Sequence, residues 1–516
     1  MNPMPDLTIT KHNESYVKIG YESQAVAANL ADYFSFFVEG YQFNPKFKYT
    51  SWDGKVRLFN KTSNLLPIGL LTMLPSLMRD CGYKTDIDFR QYLTPAVEFT
   101  EDELKKYADE FVAYNAEGEQ IQPYWYQKEA FVTAIKKGRS LLNLPTSAGK
   151  SLIQAMISRF YTDHICDDGK VVLIIVPTIS LVTQMGDDFK EYKAFDRSEI
   201  QYIMGGEGKE IERDTRVVIS TWQSAIKLDR DFYDNVGMLI CDESHLATGK
   251  SLQEICINRC VNVSWRVGLT GTVKDGKASV LLLRAIFGEI YRPVTTKDLM
   301  DEGKISDITI NVIQLQYPDE TRLKFKKLKP TYQTEISWVT ENSTRNGFIS
   351  SLGRKLASKN ENVLVLFNYQ KHGEAVVEAI KEAGYEKVML VYGKSDKEVR
   401  ASMRGIMESE GGWILVASYG VLSTGVSIKR LHHVVFAHPL KAKVKVLQSI
   451  GRGLRKHSDK DNMTLWDIVD DLSVKNTRKN AKNRFSYINY GLKHFSERAQ
   501  MYITEKFKYT IKKWSL

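Results

Sequence analysis

The chain has 516 residues, room for about three or four domains, and its 43% hydrophobic and 11% aromatic content excludes a disordered polymer. No apolar run approaches the roughly 20 residues that span a bilayer, the opening "MNPMPDLTITKHNESY" lacks the apolar core of a signal peptide, and five scattered cysteines exclude a disulfide scaffold. The net charge of +10 fits a polyanionic partner, because phosphate neutralisation releases counterions, although charge alone leaves a solvated basic face equally open. A cytoplasmic protein with reduced thiols is expected. Cys256-x-x-x-Cys260 has no matching Cys/His pair, so no zinc site is expected.

Residues 1–90 read as a separate small α/β domain. Within it, "GYQFNPKFKYTSWDGKVRLFNK" interleaves Tyr41, Phe43, Phe47, Tyr49, Trp52 and Phe59 with Lys46, Lys48, Lys55, Arg57 and Lys61. "SWDG" predicts a turn, hence a hairpin. Two readings stay open: bases stacking on these aromatics with the cations on phosphates, or alternate aromatics forming the small core. Residues 98–119 carry eight acids against two lysines and predict an acidic, partly helical connector over 91–119.

From Ser140 short apolar runs alternate with amphipathic stretches: "SLLNL" (140–144), "VVLIIV" (171–176), "RVVIS" (216–220), "GMLIC" (237–241) and "RVGL" (266–269). The rhythm lapses around 275–310 and resumes with "VLVLF" (363–367), "VMLVYG" (388–393), "WILVAS" (413–418), "HVVFAH" (433–438) and "MTLWDIV" (463–469). Strands covered on both faces and alternating with helices predict two consecutive parallel α/β domains, 120–300 and 305–472. The tail 473–516 holds eleven basic residues from Leu472 onward against two acids and predicts a basic helical extension. Its apolar stripe, Ile488, Leu492, Phe495, Ala499 and Tyr502, is expected to pack on the second domain.

Three motifs carry chemistry. In "NLPTSAGKS" a strand enters a small-residue turn and a helix begins at Lys150. That arrangement lets Thr146, Ser147, Ala148 and Gly149 cradle phosphates with backbone N–H groups while Lys150 reaches the terminal ones and Ser151 ligates Mg2+. Leu144 stands where the usual pattern has its first Gly. In "MLICDESH" a strand ends in Asp242, placed to bind Mg2+ through water, and Glu243, placed to accept a proton from the attacking water. In "QSIGRGLRKH" Gln448, Arg452 and Arg455 fall on a helix whose two arginines share one face, suited to charge on a transferring phosphoryl group, although read alone they are an ordinary basic helix.

These motifs in this order resemble superfamily 2 helicases and translocases. The similarity runs from Pro123 to Arg455. It implies two tandem RecA-like domains that use ATP and Mg2+, with Gln127 reading adenine and Gly425, Arg452 and Arg455 closing on ATP from the second domain. It also implies nucleic-acid contacts at Pro177, Thr178, Gln184, Thr221, Gln223, Asn368, Ser418 and Thr424, and coupling of hydrolysis to movement through His245, Thr270 and Thr272. Ser427 departs from the Asp that many members carry. The ends, Lys46, Lys48, Trp52, Lys55 and Arg57 included, resemble the recombination helicases of T-even phages. That implies a monomeric 3′→5′ DNA helicase acting on forks, Holliday junctions, D-loops and the RNA–DNA hybrids of R-loops. Single-strand-binding or recombination proteins are its expected partners. The alternatives are an RNA-acting or duplex-translocating ATPase without strand separation, and a binding or nuclease module with a vestigial nucleotide site. "PDE" at 318–320 lacks the acid-x-Lys that the nuclease reading needs.

Overall fold

The computed structural model describes residues 6–516 except 39, 85–91, 93–97, 167–168, 206–209, 274–275, 394–396, 421–427, 440–445, 447–448, 452–453, 455–458, 461 and 477–483. Two compact units result: Met1–Leu144 with Ala148–Pro293, and Pro145–Ser147 with Val294–Leu516.

The first unit holds a small lobe and a parallel sheet. In the lobe, β1 (Leu7–Lys11) pairs antiparallel with β2 (Tyr16–Tyr21), which pairs with β5 (Leu65–Pro67). Its core is Val17, Ile19, Leu30, Phe34, Phe59 and Leu70, and it is completed by Leu281 and Ala285 from the helix Lys277–Phe287 of the neighbouring sheet domain. The approach is close enough that a Cβ on Gly69 would lie 2.0 Å from the Arg284 carbonyl oxygen. Two buried arginines fasten the β1–β2 turn: Arg139 Nη2 donates to Glu14 O at 2.6 Å, and Arg266 Nη2 donates to Ser15 Oγ at 2.8 Å. The described part of residues 1–90, expected to form a domain of their own, thus shares a core with the first sheet domain. Its arginine partners lie 125 and 251 residues on, beyond the reach of any local pattern.

"SWDG" does not turn one strand directly into the next: a helix precedes it, and the strand that follows pairs further back in the chain. Strands β3 (Ser35–Phe37) and β4 (Lys55–Arg57) pair across an insert that carries the short helix Pro45–Tyr49. The connector forms a helix over Glu101–Glu110, started by a capping box between Thr100 and Glu103. A two-residue ladder of β6 (Ala113–Tyr114) with β7 (Gln120–Ile121) comes next in the chain.

The first large sheet contains β8 (Arg139–Asn143), β9 (Val171–Val176), β10 (Ile200–Ile203), β11 (Val217–Thr221), β12 (Val236–Cys241), β13 (Trp265–Thr270) and β14 (Glu289–Tyr291). The order is β10-β11-β9-β12-β13-β8-β14, with all pairings parallel. Strands β9 and β13 are buried at every position, as continuous apolar runs require.

The second sheet contains β15 (Asp307–Gln316), β16 (Val363–Phe367), β17 (Val388–Val391), β18 (Ile414–Ser418), β19 (His433–Phe436), β20 (Asn462–Asp471) and β23 (Tyr509–Ser515), in the order β17-β18-β16-β19-β20-β15-β23 and again parallel. Strand β15 falls where the apolar rhythm lapses. The tail is not wholly helical: β21 (Val474–Lys475) pairs antiparallel with β22 (Phe485–Tyr487), and the helix Tyr490–Thr504 leads into β23, which forms the sheet's edge beside β15. Its buried face is also displaced from the expected stripe. Gly491, His494, Arg498, Met501 and Tyr502 are buried, whereas Leu492, Phe495 and Ala499 are only half-buried and Ile488 is exposed. Arg498 takes the core position because Asp467 waits there, its oxygens 2.9 Å from both Nε and Nη2. A stripe drawn from apolar residues does not see such a pair. Among the described residues no helix is long and apolar enough to cross a membrane.

Candidate active site and nucleic-acid face

Strand β8 runs straight into the phosphate-loop sequence. Leu144 is fully buried and its N–H donates to Thr270 O at 2.9 Å, extending the pairing with β13 one residue past the strand. Leu144 therefore closes the sheet and the turn proper begins at Pro145. Ser147 and Gly149 both adopt left-handed backbone, φ 71° and 72°, which turns the chain into the helix Lys150–His164. A Cβ on Gly149 would lie 2.3 Å from Gln127 Nε2. Gln127 itself is buried; Nε2 donates to Ala148 O at 2.9 Å and Oε1 accepts from Tyr124 N at 2.8 Å. Its amide is thus engaged with the loop and with its own helix start. Ser151 Oγ lies 2.8 Å from the Tyr192 hydroxyl oxygen.

Strand β12 delivers the carboxylates. The Asp242 N–H donates to Ile175 O at 2.9 Å, so the strand pairing with β9 holds the residue to its very end. Its Oδ1 is shielded from water and has no hydrogen-bond partner among the described residues. Burial, followed by the charge of Glu243, pushes the carboxyl up to about 7, while Lys150 and His245 pull it down. Lys150 therefore faces Asp242 closely enough to be felt. Glu243 sits at φ 47°, left-handed backbone that an L side chain adopts at a cost. Its Oε2 is 3.2 Å from His245 Nδ1. The same His245 nitrogen lies 3.0 Å from Thr270 Oγ1, which donates to Thr272 O at 3.1 Å. His245, Thr270 and Thr272 thus form one hydrogen-bonded chain across two strand ends, with the Glu243 carboxylate in contact at its head.

The predicted nucleic-acid residues of this unit also gather at strand ends. Thr178 caps the helix Ile179–Glu191, accepting from Leu181 N at 3.4 Å, with Pro177 beside it half-buried and Gln184 exposed on the helix. Thr221 is buried and caps the turn that exposes Gln223. In the second unit Asn368 is exposed after β16 and Ser418 is half-buried at the end of β18. Thr424, Gly425, Ser427, Gln448, Arg452 and Arg455 lie outside the described residues.

In the small lobe the aromatics divide. Phe59 is core, Trp52 is half-buried with Nε1 donating to Lys55 O at 2.8 Å, and Phe37 stacks on Tyr41 at 4.9 Å. Phe43 and Tyr49 project into solvent, 80% and 83% exposed. The cations divide too. Lys55 pairs with Asp32, and Arg57 pairs with Asp53, whose carboxyl is drawn down to about 2 by that hydrogen bond. Lys46 and Lys48 are exposed on the helix between Phe43 and Tyr49.

A phosphate loop, paired carboxylates and a polar relay on one parallel sheet, with a second sheet of the same order behind them in sequence, define a superfamily 2 helicase. Residues 120–275 match the family described as type III restriction enzyme, res subunit, and residues 347–457 the helicase conserved C-terminal domain. Residues 6–88 match the family described as DNA helicase UvsW, N-terminal. The chain is 44% identical over 515 residues to the ATP-dependent DNA helicase uvsW of Enterobacteria phage T4, covering 98% of this chain and 99% of that one. It also matches the crystal structure of T4 UvsW at 42% identity with a TM-score of 0.52, covering 99% of each chain. The DNA 3'-5' translocase XPB2 of Sulfurisphaera tokodaii is 23% identical over 377 residues, 67% of this chain and 80% of that one. The chain belongs to the UvsW family of ATP-dependent DNA helicases.

Proposed function

We propose that the protein couples ATP hydrolysis to movement along one DNA strand and so unwinds or branch-migrates forks, Holliday junctions, D-loops and R-loops in phage recombination, repair and replication. The observation that carries this reading is the polar chain from Glu243 through His245 to Thr270 and Thr272. It ties the proton-accepting carboxylate to the end of a neighbouring strand, so a change at the nucleotide has a route into the sheet edge.

Lys150 offsets phosphate charge, and Glu243 accepts the proton of the attacking water. Asp242 and Ser151 would hold Mg2+, and the fit is good: a water-shielded Oδ1 without a partner among the described residues, on a carboxylate raised by burial, is a group that a cation would relieve. When bound, the cation neutralises charge between the outer phosphates. Gln448, Arg452 and Arg455 are assigned to the developing charge and Gly425 to the nucleotide. Pro177, Thr178, Gln184, Thr221, Gln223, Asn368, Ser418 and Thr424 would grip phosphates, which makes the grip largely indifferent to sequence. Phe43 and Tyr49 would stack on unpaired bases beside Lys46 and Lys48. We infer action as a monomer in the host cytoplasm, alongside single-strand-binding or recombination proteins.

Strand displacement across a panel of forks, Holliday junctions, R-loops, linear duplex and single-stranded RNA, with and without ATP, tests the reading. ATP-dependent opening of the branched substrates is expected. Equal stimulation by RNA or linear duplex without strand separation would overturn it.

A further inference from the structure

Tyr192 belongs to no sequence motif, yet its hydroxyl lies 2.8 Å from the hydroxyl of Ser151, the second residue of the phosphate-loop helix. It is the first residue past the helix Ile179–Glu191, and its N–H donates to Asp188 O at 2.9 Å. The chain then turns through Lys193 at φ 55°, and Ala194 N donates back to Phe189 O at 3.0 Å. Phe189 and Phe195, both buried and three residues to either side of Tyr192, stack at 5.7 Å, with the Arg159 guanidinium of the phosphate-loop helix over the Phe195 ring. The end of this helix is therefore pinned to the phosphate-loop helix by packing, and the Tyr192 hydroxyl is carried on a rigid support. The other end of the same helix begins at Thr178, next to Pro177.

A serine hydroxyl has one proton and two lone pairs, and to ligate a cation it must aim a lone pair at it. A rotating hydroxyl spends part of its time aimed elsewhere. A fixed phenol bonded to the same oxygen removes that freedom. We propose that Tyr192 is the positioning residue for the Ser151 hydroxyl and that it links the cation's ligand to the helix that starts at the DNA-contact residues Pro177 and Thr178. The inference rests on the helicase reading, in which Ser151 takes Mg2+ and Pro177–Thr178 takes the strand.

The test is binding, not turnover. A fluorescent, non-hydrolysable ATP analogue is titrated onto the full chain over a range of Mg2+ concentrations and in EDTA, with and without a single-stranded oligonucleotide. Tyr192→Phe removes one oxygen and keeps the ring. One hydrogen bond of ordinary net strength corresponds to a shift of about fivefold in the Mg2+ concentration needed for half-saturation. Nucleotide affinity in EDTA and the thermal midpoint of the free protein are expected to stay as in the wild type. Ser151→Ala should show its own shift, with Tyr192→Phe adding nothing on that background. The oligonucleotide should lower the wild-type Mg2+ midpoint and leave that of Tyr192→Phe unmoved. An unchanged Mg2+ midpoint in Tyr192→Phe, or a shift that persists in full on Ser151→Ala, overturns the positioning role. An oligonucleotide effect equal in both proteins overturns the link to the DNA-contact helix. Lys150→Ala serves as the control: if it binds the analogue as the wild type does, the nucleotide-site reading itself fails.

Discussion

Taken strand by strand, the two sheets have one order: β8 corresponds to β15, β9 to β16, β12 to β19, β13 to β20 and β14 to β23. They treat charge differently. At the C-terminal ends of β12 and β13 the first sheet leaves a carboxylate buried and raised, an adjacent glutamate in strained backbone, and a histidine–threonine relay beside them. The second sheet neutralises its charges internally. Arg345 Nε donates to Asp470 at 2.7 Å with Tyr317 donating to the same carboxylate at 2.8 Å, and Arg498 pairs with Asp467 while Tyr502 donates to it at 2.9 Å. One copy of the fold keeps electrostatic free energy available for a ligand, whereas the other uses its charges to hold itself together.

The largest expected effect separates chemistry from folding. Lys150→Ala should cut DNA-stimulated ATP hydrolysis by on the order of a hundredfold or more and abolish unwinding, with an unchanged circular dichroism spectrum. Hydrolysis that persists at the wild-type rate would break the assignment.

The mirror experiment is in the second sheet. Arg345 and Asp470 are essentially inaccessible to water. Asp470→Ala strands a guanidinium in the core and should cost about 3–5 kcal/mol in denaturant unfolding. Asp242→Asn should do the opposite. A carboxyl whose folded pKa is raised from 3.8 to about 7 destabilises the fold increasingly as pH rises through that window, and fully above it. Removing that charge should leave the free protein as stable as the wild type or more so, while hydrolysis is lost. If Asp242→Asn destabilises as Asp470→Ala does, the contrast between the sheets is wrong.

The small lobe offers a third comparison. Phe59 is buried and Phe43 and Tyr49 are exposed within one aromatic stretch. Phe43→Ala with Tyr49→Ala should leave stability within about 0.5 kcal/mol and weaken binding to branched DNA by about 1–3 kcal/mol per stacked base, measured by fluorescence anisotropy. Unaltered DNA binding would return these side chains to the status of ordinary surface.

These contrasts also mark what a sequence exposes. The buried strands β9, β12, β13, β16 and β18 are legible because a strand covered on both faces must be apolar throughout. Asp242 and Glu243 are legible because they break such a run at its end. Strands β10, β14, β15 and β23 are not: β14 and β23 are short or exposed edges, and β15 alternates Thr, Asn and Gln with its apolar residues. The tail helix reads one face away from its buried side because Arg498 and Asp467 occupy the core as a pair, and only their meeting makes either one a core residue. The same limit applies to Gln127 and Tyr192. Their roles depend on which backbone oxygen or hydroxyl comes within hydrogen-bond reach, and that is a property of the fold.

The smallest effect tests whether the second sheet's interior is as closed as its ion pairs imply. His372 lies in the first turn of the helix Gln370–Glu382 after β16, is 2% exposed, and neither ring nitrogen has a hydrogen-bond partner among the described residues. Burial, then the Arg345 charge and His438, draw its pKa down to about 2, with the Tyr369–His438 ring pair alongside. An unfolded chain takes up that proton near pH 6.5 and the folded one does not. Below pH 6.5 the unfolded state binds more protons, so stability is present above that pH and falls as pH drops, by about 1 kcal/mol per unit. His432 and His433 are depressed by burial as well and act in the same direction. The discriminating measurement is therefore a difference. Between pH 6.5 and 5 the wild type should lose stability more steeply than His372→Leu by about 1 kcal/mol per pH unit, read from urea unfolding. Parallel curves would mean that water or a carboxylate reaches His372, and that the second sheet is less sealed than Arg345–Asp470 requires.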